Sequence, residues 1–218
     1  MLADHTSRNL IHGYYAAVSM IDAQIGKLLD ALEQHDLLDN TIVILWGDHG
    51  WKLGDYGSWC KHTNFELDTR VPLIIMDPKD PRGQRTSSLV EFVDIYPTLC
   101  ELAGLPLPHH LEGQSLVPVI KDPSTGVKQV AISQYPRGKA LDYDRKREIM
   151  GYSMRYKQYR FTRWQYYEDP DKVVAYELYD HSEGLIAERN LAEDPTYAEI
   201  IEELSNMLSK ELGKYSNH

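Results

Sequence analysis

The sequence predicts an α/β fold that gives way, in its second half, to a smaller antiparallel layer. Three observations carry that expectation. Two continuous apolar runs, Thr41-Ile42-Val43-Ile44-Leu45-Trp46 and Val71-Pro72-Leu73-Ile74-Ile75-Met76, stand between two helical patterns. A stretch rich in Pro, Gly and His, from Gly104 to Gly126, then interrupts the pattern. Beyond it the chain turns to Tyr-, Arg- and Phe-rich segments of strand character. Helix, strand, loop, strand, helix is the order an α/β layer needs.

Each element has a local reason. Tyr14, Val18, Ile21, Ile25, Leu28 and Leu32 recur at alternating steps of four and three, one apolar stripe on a helix. Asp39-Asn40 makes the turn into the first apolar run. An unbroken β-rich run is the pattern of a strand buried on both faces, as in parallel sheets covered by helices. It stops at Gly47-Asp48-His49-Gly50, and a Gly- and aromatic-rich loop continues from Trp51 to about Asn64. The second run carries Pro72 near its start, where a strand tolerates it. Glu91 to Ala103 reads as a short helix, with Pro97 in its first turn and Gly104 as its stop. Gln129 to Gln134 reads as a strand, Glu148 to Tyr167 as an antiparallel hairpin, and Ala175 to Tyr179 as one more strand. Ile200, Ile201, Leu204, Met207, Leu208 and Leu212 mark a closing amphipathic helix.

Composition narrows the function classes. The 218 residues suit one domain, or one domain with a smaller second layer. Hydrophobic residues make up 42% and charged residues 26%, ordinary for a soluble globular protein with a sizeable core. The formal net charge of -10 argues against a general nucleic-acid binder, because the phosphate backbone demands Lys and Arg. The charge is uneven: Val127 to Tyr166 holds ten Lys or Arg against three Asp or Glu. Within it Arg137, Arg145, Lys146, Arg147, Arg155, Lys157, Arg160 and Arg163 read either as a site for a polyanion or as a plain solvated face. The two cysteines, Cys60 and Cys100, cannot build a disulfide scaffold and form no C-x-x-C pair; free, mostly buried thiols are expected. No apolar run approaches the roughly 20 residues of a membrane span. The start, Met1-Leu2-Ala3-Asp4-His5, is polar and lacks a signal-peptide pattern.

Asp48-His49 is the sharpest chemical feature. A carboxylate and an imidazole sit just past an apolar strand, between two glycines that let the backbone turn tightly. Ligands of open α/β sheets bind at the carboxyl ends of strands. Asp supplies an anionic oxygen to a divalent cation and His a neutral nitrogen. The alternative is a turn in which Asp48 only bonds its own backbone. Lys61 can hold a tetrahedral anion as a point charge, or can simply be a solvated loop lysine. His62 can exchange a proton near neutral pH. Trp51 and Trp59 either wall a sugar or bury loop surface.

The stretch Leu45-Trp46-Gly47-Asp48-His49-Gly50-Trp51-Lys52-Leu53-Gly54, followed by Gly57-Ser58-Trp59-Cys60-Lys61-His62-Thr63-Asn64-Phe65, resembles the type I sulfatases. Within them it is most similar to the iduronate-2-sulfatase type. Further stretches agree: Tyr14-Tyr15-Ala16-Ala17-Val18-Ser19 with Asp22, Asp94-Ile95-Tyr96-Pro97-Thr98-Leu99 with Leu102-Ala103-Gly104-Leu105, Ser133-Gln134-Tyr135-Pro136-Arg137, Ile149-Met150-Gly151-Tyr152-Ser153, and Glu177-Leu178-Tyr179-Asp180 with Asn190-Leu191. The similarity covers nearly the whole chain. It implies the C-terminal part of an alkaline-phosphatase-like α/β sulfatase fold. Residues 1–126 would be the C-terminal part of the catalytic domain, and 127–218 a small antiparallel C-terminal subdomain with a terminal helix. It also implies hydrolysis of sulfate esters on a sulfated saccharide, with calcium held by Asp48 and His49, Lys61 on the sulfate, and Trp51, His62 and Arg137 facing the substrate. Many sulfatases carry Asn where His49 stands, and the iduronate-2-sulfatase type carries His.

One departure is large. The family makes its formylglycine nucleophile from the Cys of a C-x-P-x-R motif, but Cys60 is followed by Lys-His-Thr-Asn and Cys100 by Glu-Leu-Ala-Gly. The family's paired aspartates on its first strand are absent as well. The chain is therefore expected to be a C-terminal half, inactive alone, whose partner is the missing N-terminal half or another chain. The alternatives are a non-catalytic remnant that binds polyanions or a partner, and a phosphatase or phosphonate hydrolase of the same superfamily. Full-length relatives of this type are lysosomal, periplasmic or secreted, and the chain itself names no compartment.

Overall fold

The chain opens on a helix of 31 residues, α1 (Asp4–Gln34). The computed structural model describes residues 2–137, 149–167 and 169–214. The expected apolar stripe is present on α1 but faces outward: Tyr14, Val18, Ile21 and Leu28 are exposed, and no residue of the helix is buried. The chain continues through β1 (Val43–Trp46), a small hairpin of β2 (Lys52–Leu53) and β3 (Trp59–Cys60), a single helical turn α2 (Glu66–Thr69), and β4 (Leu73–Met76). β1 pairs with β4 antiparallel, Val43 opposite Met76 and Trp46 opposite Leu73. This corrects the expectation of a parallel strand covered on both faces, since Leu45, Trp46 and Ile74 are exposed. An unbroken apolar run carries no information on the direction of its neighbour, and the intervening hairpin and turn bring the chain back antiparallel.

α3 (Ile95–Leu102) follows a 3₁₀ turn, Phe92–Asp94, whose start is closed by a capping box between Glu91 and Asp94. Pro97 lies in the first turn of α3. Gly104 ends the helix at φ +71°, where its N–H donates to Glu101 O at 3.0 Å and the Leu105 N–H to Cys100 O at 2.8 Å. Only a residue free of a Cβ takes that left-handed position without strain. α4 (Val117–Lys121) is a short helix in the Pro-rich crossing.

The second half is an antiparallel meander of β5 (Ala131–Arg137), β6 (Ile149–Tyr156), β7 (Tyr159–Tyr166) and β8 (Val173–Asp180), closed by α5 (Ala198–Gly213). Side chains alternate across its strands, so the sheet has two unlike faces. Met154, Phe161 and Leu178 stand opposite one another on one face and bury against Leu191, Leu204 and Leu208 of the closing segment and α5. Ser153, Thr162 and Arg160 occupy the other, polar face, which meets the first half of the chain.

That alternation breaks up the predicted basic strip. Arg160 is 5% exposed and Arg163 9%, on opposite faces of β7. Arg160 donates to Glu66 at 2.7 and 2.8 Å, and Arg155 joins the same carboxylate at 3.3 Å. Arg163 donates to Gln165 Oε1 at 2.7 Å and to Ser209 Oγ of α5 at 2.6 Å. Lys157 lies in the β6–β7 turn with its ammonium 4.8 Å from the Tyr156 ring. Arg145, Lys146 and Arg147 lie outside the described residues. The described arginines of the hairpin are thus internal fasteners, not one solvated face. The thiols also divide: Cys100 is buried, but Cys60 is exposed, against the expectation for both.

Two carboxylate clusters join the halves. Burial alone raises the Glu66 carboxyl, but the charge and hydrogen bond of Arg160, with Arg155 and His181, outweigh it and hold the group below the ordinary glutamate range. Lys128 lies 2.5 Å from Glu91 and 2.7 Å from fully buried Asp94, and Glu91 also accepts the Ile132 N–H at 2.7 Å. Burial lowers the Lys128 ammonium, and the two carboxylates more than offset this and raise it.

Removing one partner of a buried pair leaves the other charge uncompensated, at about 3–5 kcal/mol. Glu66→Gln is expected to lose that much in urea denaturation at pH 7. The sign of the pH effect follows from the lowered Glu66 value. Its stabilisation is complete above the ordinary glutamate value of about 4.3 and disappears as pH falls through the folded value. Stability of the wild type should therefore converge on that of Glu66→Gln in acid; a constant difference down to the lowest folded pH would refute the assignment.

Candidate active site

The chain leaves β1 at Trp46 and turns at Gly47-Asp48-His49-Gly50. The turn is pressed onto α2. The Gly50 N–H donates to Asp68 O at 2.8 Å, and a Cβ on Gly50 would lie 1.7 Å from the Leu67 carbonyl oxygen. Only glycine fits there. Asp48 projects outward with its side chain 81% exposed, while the His49 side chain is 27% exposed. Asp48 borders a cavity of about 300 Å³ that Asp68, Ser133 and Arg160 also line.

Three functional groups converge on His49. Its Nδ1 lies 2.7 Å from Gly50 O. A carbonyl only accepts, so Nδ1 carries the proton and Nε2 keeps its lone pair. Nε2 is 3.4 Å from Asp48 Oδ2 and in hydrogen-bonding contact with Lys61 Nζ. Trp51 orients the ring: it stacks on His49 at 5.9 Å and on Tyr14 of α1 at 6.3 Å. The structure therefore brings Asp48, His49, Trp51 and Lys61 together, with Trp51 packed between two rings.

His62 and Arg137 stand apart from that cluster. His62 is exposed, and its Nδ1 lies 2.9 Å from the Tyr135 hydroxyl of β5. Arg137 is exposed at the end of β5 with its guanidinium 5.4 Å above the Trp164 ring. Beside it, burial raises the Glu177 carboxyl, partly offset by the Trp164 indole N–H and the charge of Arg137.

Sequence reasoning passed over the groups that hold the loop. Lys52 is 1% exposed and gives its ammonium to Asp68 Oδ2 at 2.5 Å, the oxygen that also accepts the Thr63 N–H at 2.8 Å. Asn64 donates to Gly151 O at 3.1 Å. No periodicity announced them: Asn64, Glu66 and Asp68 are all buried, but Glu66 and Asp68 stand in the helical turn α2 and Asn64 in the loop before it. A cleft of about 1100 Å³ between the 109–114 loop and α5 contains none of the predicted site residues.

Asp48 and His49 can offer a cation one carboxylate oxygen and one imidazole nitrogen. Calcium takes six to eight oxygen-rich ligands, and among the described residues no group of three or more His, Cys, Asp or Glu is placed to hold a metal. The pair fits one edge of such a site. In the present geometry Lys61 takes the Nε2 lone pair that a metal would use.

The fold that carries this site is alkaline-phosphatase-like. A solved protein in complex with its substrate D-glucosamine-2-N,6-O-disulfate superposes with a TM-score of 0.78 at 29% identity, over 94% of this chain and 40% of its own. A phosphonate monoester hydrolase from Silicibacter pomeroyi superposes with a TM-score of 0.76 at 25% identity, over 91% and 40%. The sulfatase family model matches residues 3–105, and the chain belongs to the sulfatase family. It is 34% identical to mouse iduronate 2-sulfatase over 222 residues, covering 77% of this chain and 40% of the relative. It is 41% identical to human arylsulfatase K over 112 residues, covering 51% and 21%. The chain thus spans about 40% of the length of the iduronate 2-sulfatases it matches.

Because a Cβ at Gly50 meets backbone and not a yielding side chain, Gly50→Ala must shift the turn or α2. Overpacking of this kind costs about 1–3 kcal/mol. The expected result is a lowered melting temperature with changed amide resonances at Asp48, His49 and Leu67; an unchanged melt and spectrum would show that the turn does not rest on α2.

Proposed function

We propose that the chain carries the metal and sulfate-binding edge of a sulfuric ester hydrolase of the iduronate-2-sulfatase kind, acting on a sulfated saccharide. The convergence of Asp48, His49 and Lys61 at the end of β1 carries this reading. In it, residues 1–126 belong to the catalytic layer and 127–218 form a subdomain that brings Arg137 to the substrate side. Asp48 and His49 would hold a divalent cation, calcium in this family, which when bound supplies Lewis-acid polarisation of a sulfate oxygen. The residues of this chain do the rest. Trp51 keeps the His49 ring in one orientation. The proton on Nδ1 leaves the lone pair on Nε2, which would pass to the cation as Lys61, its partner here, turns to the sulfate. Lys61 places a positive charge next to the developing charge of the transferring group. His62 and Arg137 offer donors to the saccharide and its anionic substituents.

The 218 residues contain no C-x-P-x-R motif, so in this reading the nucleophile comes from a polypeptide segment outside them. The exposed apolar surface supports the same view. Leu45, Trp46 and Ile74 on β1 and β4, with Tyr15, Val18, Met20 and Leu28 on α1, form an unusual amount of uncovered apolar area. The missing part of a sulfatase domain is the partner such a surface fits. The phosphonate monoester hydrolase neighbour favours a second reading, in which the tetrahedral anion is a phosphonate.

The pure chain is expected to give no metal-dependent turnover of an aryl sulfate, a 2-sulfated uronate disaccharide or an aryl phosphonate. Supplying a polypeptide with the C-x-P-x-R segment, converted to formylglycine, should restore sulfate-ester cleavage, and Lys61→Ala should then lower kcat about 100-fold or more. Turnover by the chain alone would refute the proposal, and restored cleavage of the phosphonate only would decide for the second reading. The uncovered apolar face leads to a separate expectation: light scattering should find the isolated chain self-associating. A clean monomer with a cooperative melt would count against a missing cover.

A further inference from the structure

The segment 62–66 lies along the polar face of the sheet and touches it with every second residue. His62 meets Tyr135, Asn64 meets Gly151, and Glu66 meets Arg155 and Arg160. Tyr135 and Gly151 are cross-strand partners, as are Arg155 and Arg160, so the segment is seated rung by rung. At Gly151 no side chain is possible, because a Cβ would lie 2.5 Å from the Trp164 ring and 2.7 Å from the Asn64 amide. His62 is the end of this seam nearest Lys61, and it sits in a strained conformation. Its φ is +84°, in the left-handed region, which costs a non-glycine residue about 1–2 kcal/mol. Its neighbour Cys60 is left-handed too, at +69°. Something beyond backbone preference holds the residue there. The contact available is Tyr135, whose hydroxyl is 2.9 Å from Nδ1 and whose ring meets the imidazole edge to face at 5.6 Å and 77°.

We propose that Tyr135 is a positioning residue for His62: its O–H donates to Nδ1, which leaves the imidazole proton on Nε2 and presents an N–H donor to an anionic sugar beside Lys61. The direction follows from chemistry. A phenol is a good donor and a neutral imidazole nitrogen a good acceptor. An Nε2–H then matches an acceptor-only sulfate or carboxylate. The opposite tautomer would turn a lone pair toward that anion. Tyr135 belongs to the second layer of the fold, so in this arrangement the sheet sets the hydrogen-bonding character of a loop in the first. The choice of ligand rests on the sulfated-saccharide reading above, whereas the Tyr135–His62 contact does not.

The test is ¹⁵N NMR of the imidazoles in the 218-residue chain at about pH 8, where an ordinary histidine is neutral. His62→Gln assigns the signals. The wild type should carry its proton on Nε2, with an Nδ1 resonance that moves downfield by several ppm in Tyr135→Phe while the melting temperature stays close to that of the wild type. A correlation from the Tyr135 hydroxyl proton to Nδ1 in the wild type reads the same contact without a variant. A proton on Nδ1, or an Nδ1 resonance unmoved by Tyr135→Phe with no such correlation, overturns the proposal. Glucosamine 6-sulfate is then titrated into both proteins. Movement of the His62 Nε2–H signal, weakened severalfold in Tyr135→Phe, completes the case. An Nδ1 result as expected, with no response to the sugar, upholds the positioning by Tyr135 and removes the saccharide reading instead.

Discussion

Everything described depends on one buried ion pair, Glu66 with Arg160. Glu66 begins α2, shortly after the loop that carries Lys61, and Arg160 sits on the polar face of the sheet, one residue from the β6–β7 turn. Neither charge is stable in that position without the other, because burial disfavours both ionised forms. The pair therefore adds little net stability compared with a well-packed apolar contact. What it supplies is position: a carboxylate and a guanidinium meet in few geometries, and these two lock the register of segment 62–66 on the sheet. The apolar face, with Phe161 and Leu178 against Leu204 and Leu208, contributes the hydrophobic stabilisation.

The candidate site is assembled from the same kind of constraint at smaller scale. The turn at Asp48-His49 carries exposed chemistry on a support with no freedom. Gly50 lies against the backbone of α2, and the Asp68 side chain of that turn ties Lys52 and Thr63 into the loop. Lys61 reaches His49 from the far arm of the β2–β3 hairpin. Exposed functional groups on a rigid, polar, buried frame are what a binding edge needs, since the frame removes the entropy that a ligand would otherwise have to remove.

Much of this was legible in the residues. The first and last helices followed from apolar periodicity, the C-terminal hairpin from its Tyr-, Arg- and Phe-rich stretch, and the stop of α3 from Gly104, whereas the short helices α2 and α4 were not foreseen. Asp48, His49, Trp51 and Lys61 were singled out and do meet. The rest was hidden for identifiable reasons. Strand direction was misread because the apolar run of β1 says nothing about its partner. The basic strip was misread because arginines counted along the chain project alternately to two faces of β7, and their acids, Glu66 above all, lie about ninety positions away. Lys52 was passed over because a lysine is ordinarily solvated, and only the fold brings Asp68 to it. Tyr135 stood in view inside a matched stretch, but its contact with His62 is a tertiary one.

The outward stripe of α1 has a consequence for how the molecule breathes. A helix without a single buried residue draws little protection beyond its own hydrogen bonds and the Tyr14–Trp51 stack, and helical peptides in water relax on a sub-microsecond timescale. The sheet and α5, sealed by seven buried side chains, open only with the core. The same polypeptide thus spans a wide range of local opening free energies. Trp51 sits where the two regimes touch, stacked on Tyr14 of the labile helix and on His49 of the candidate site. Fraying of α1 as far as Tyr14 would release one side of that stack, so the order of the imidazole is tied to the least protected element of the chain.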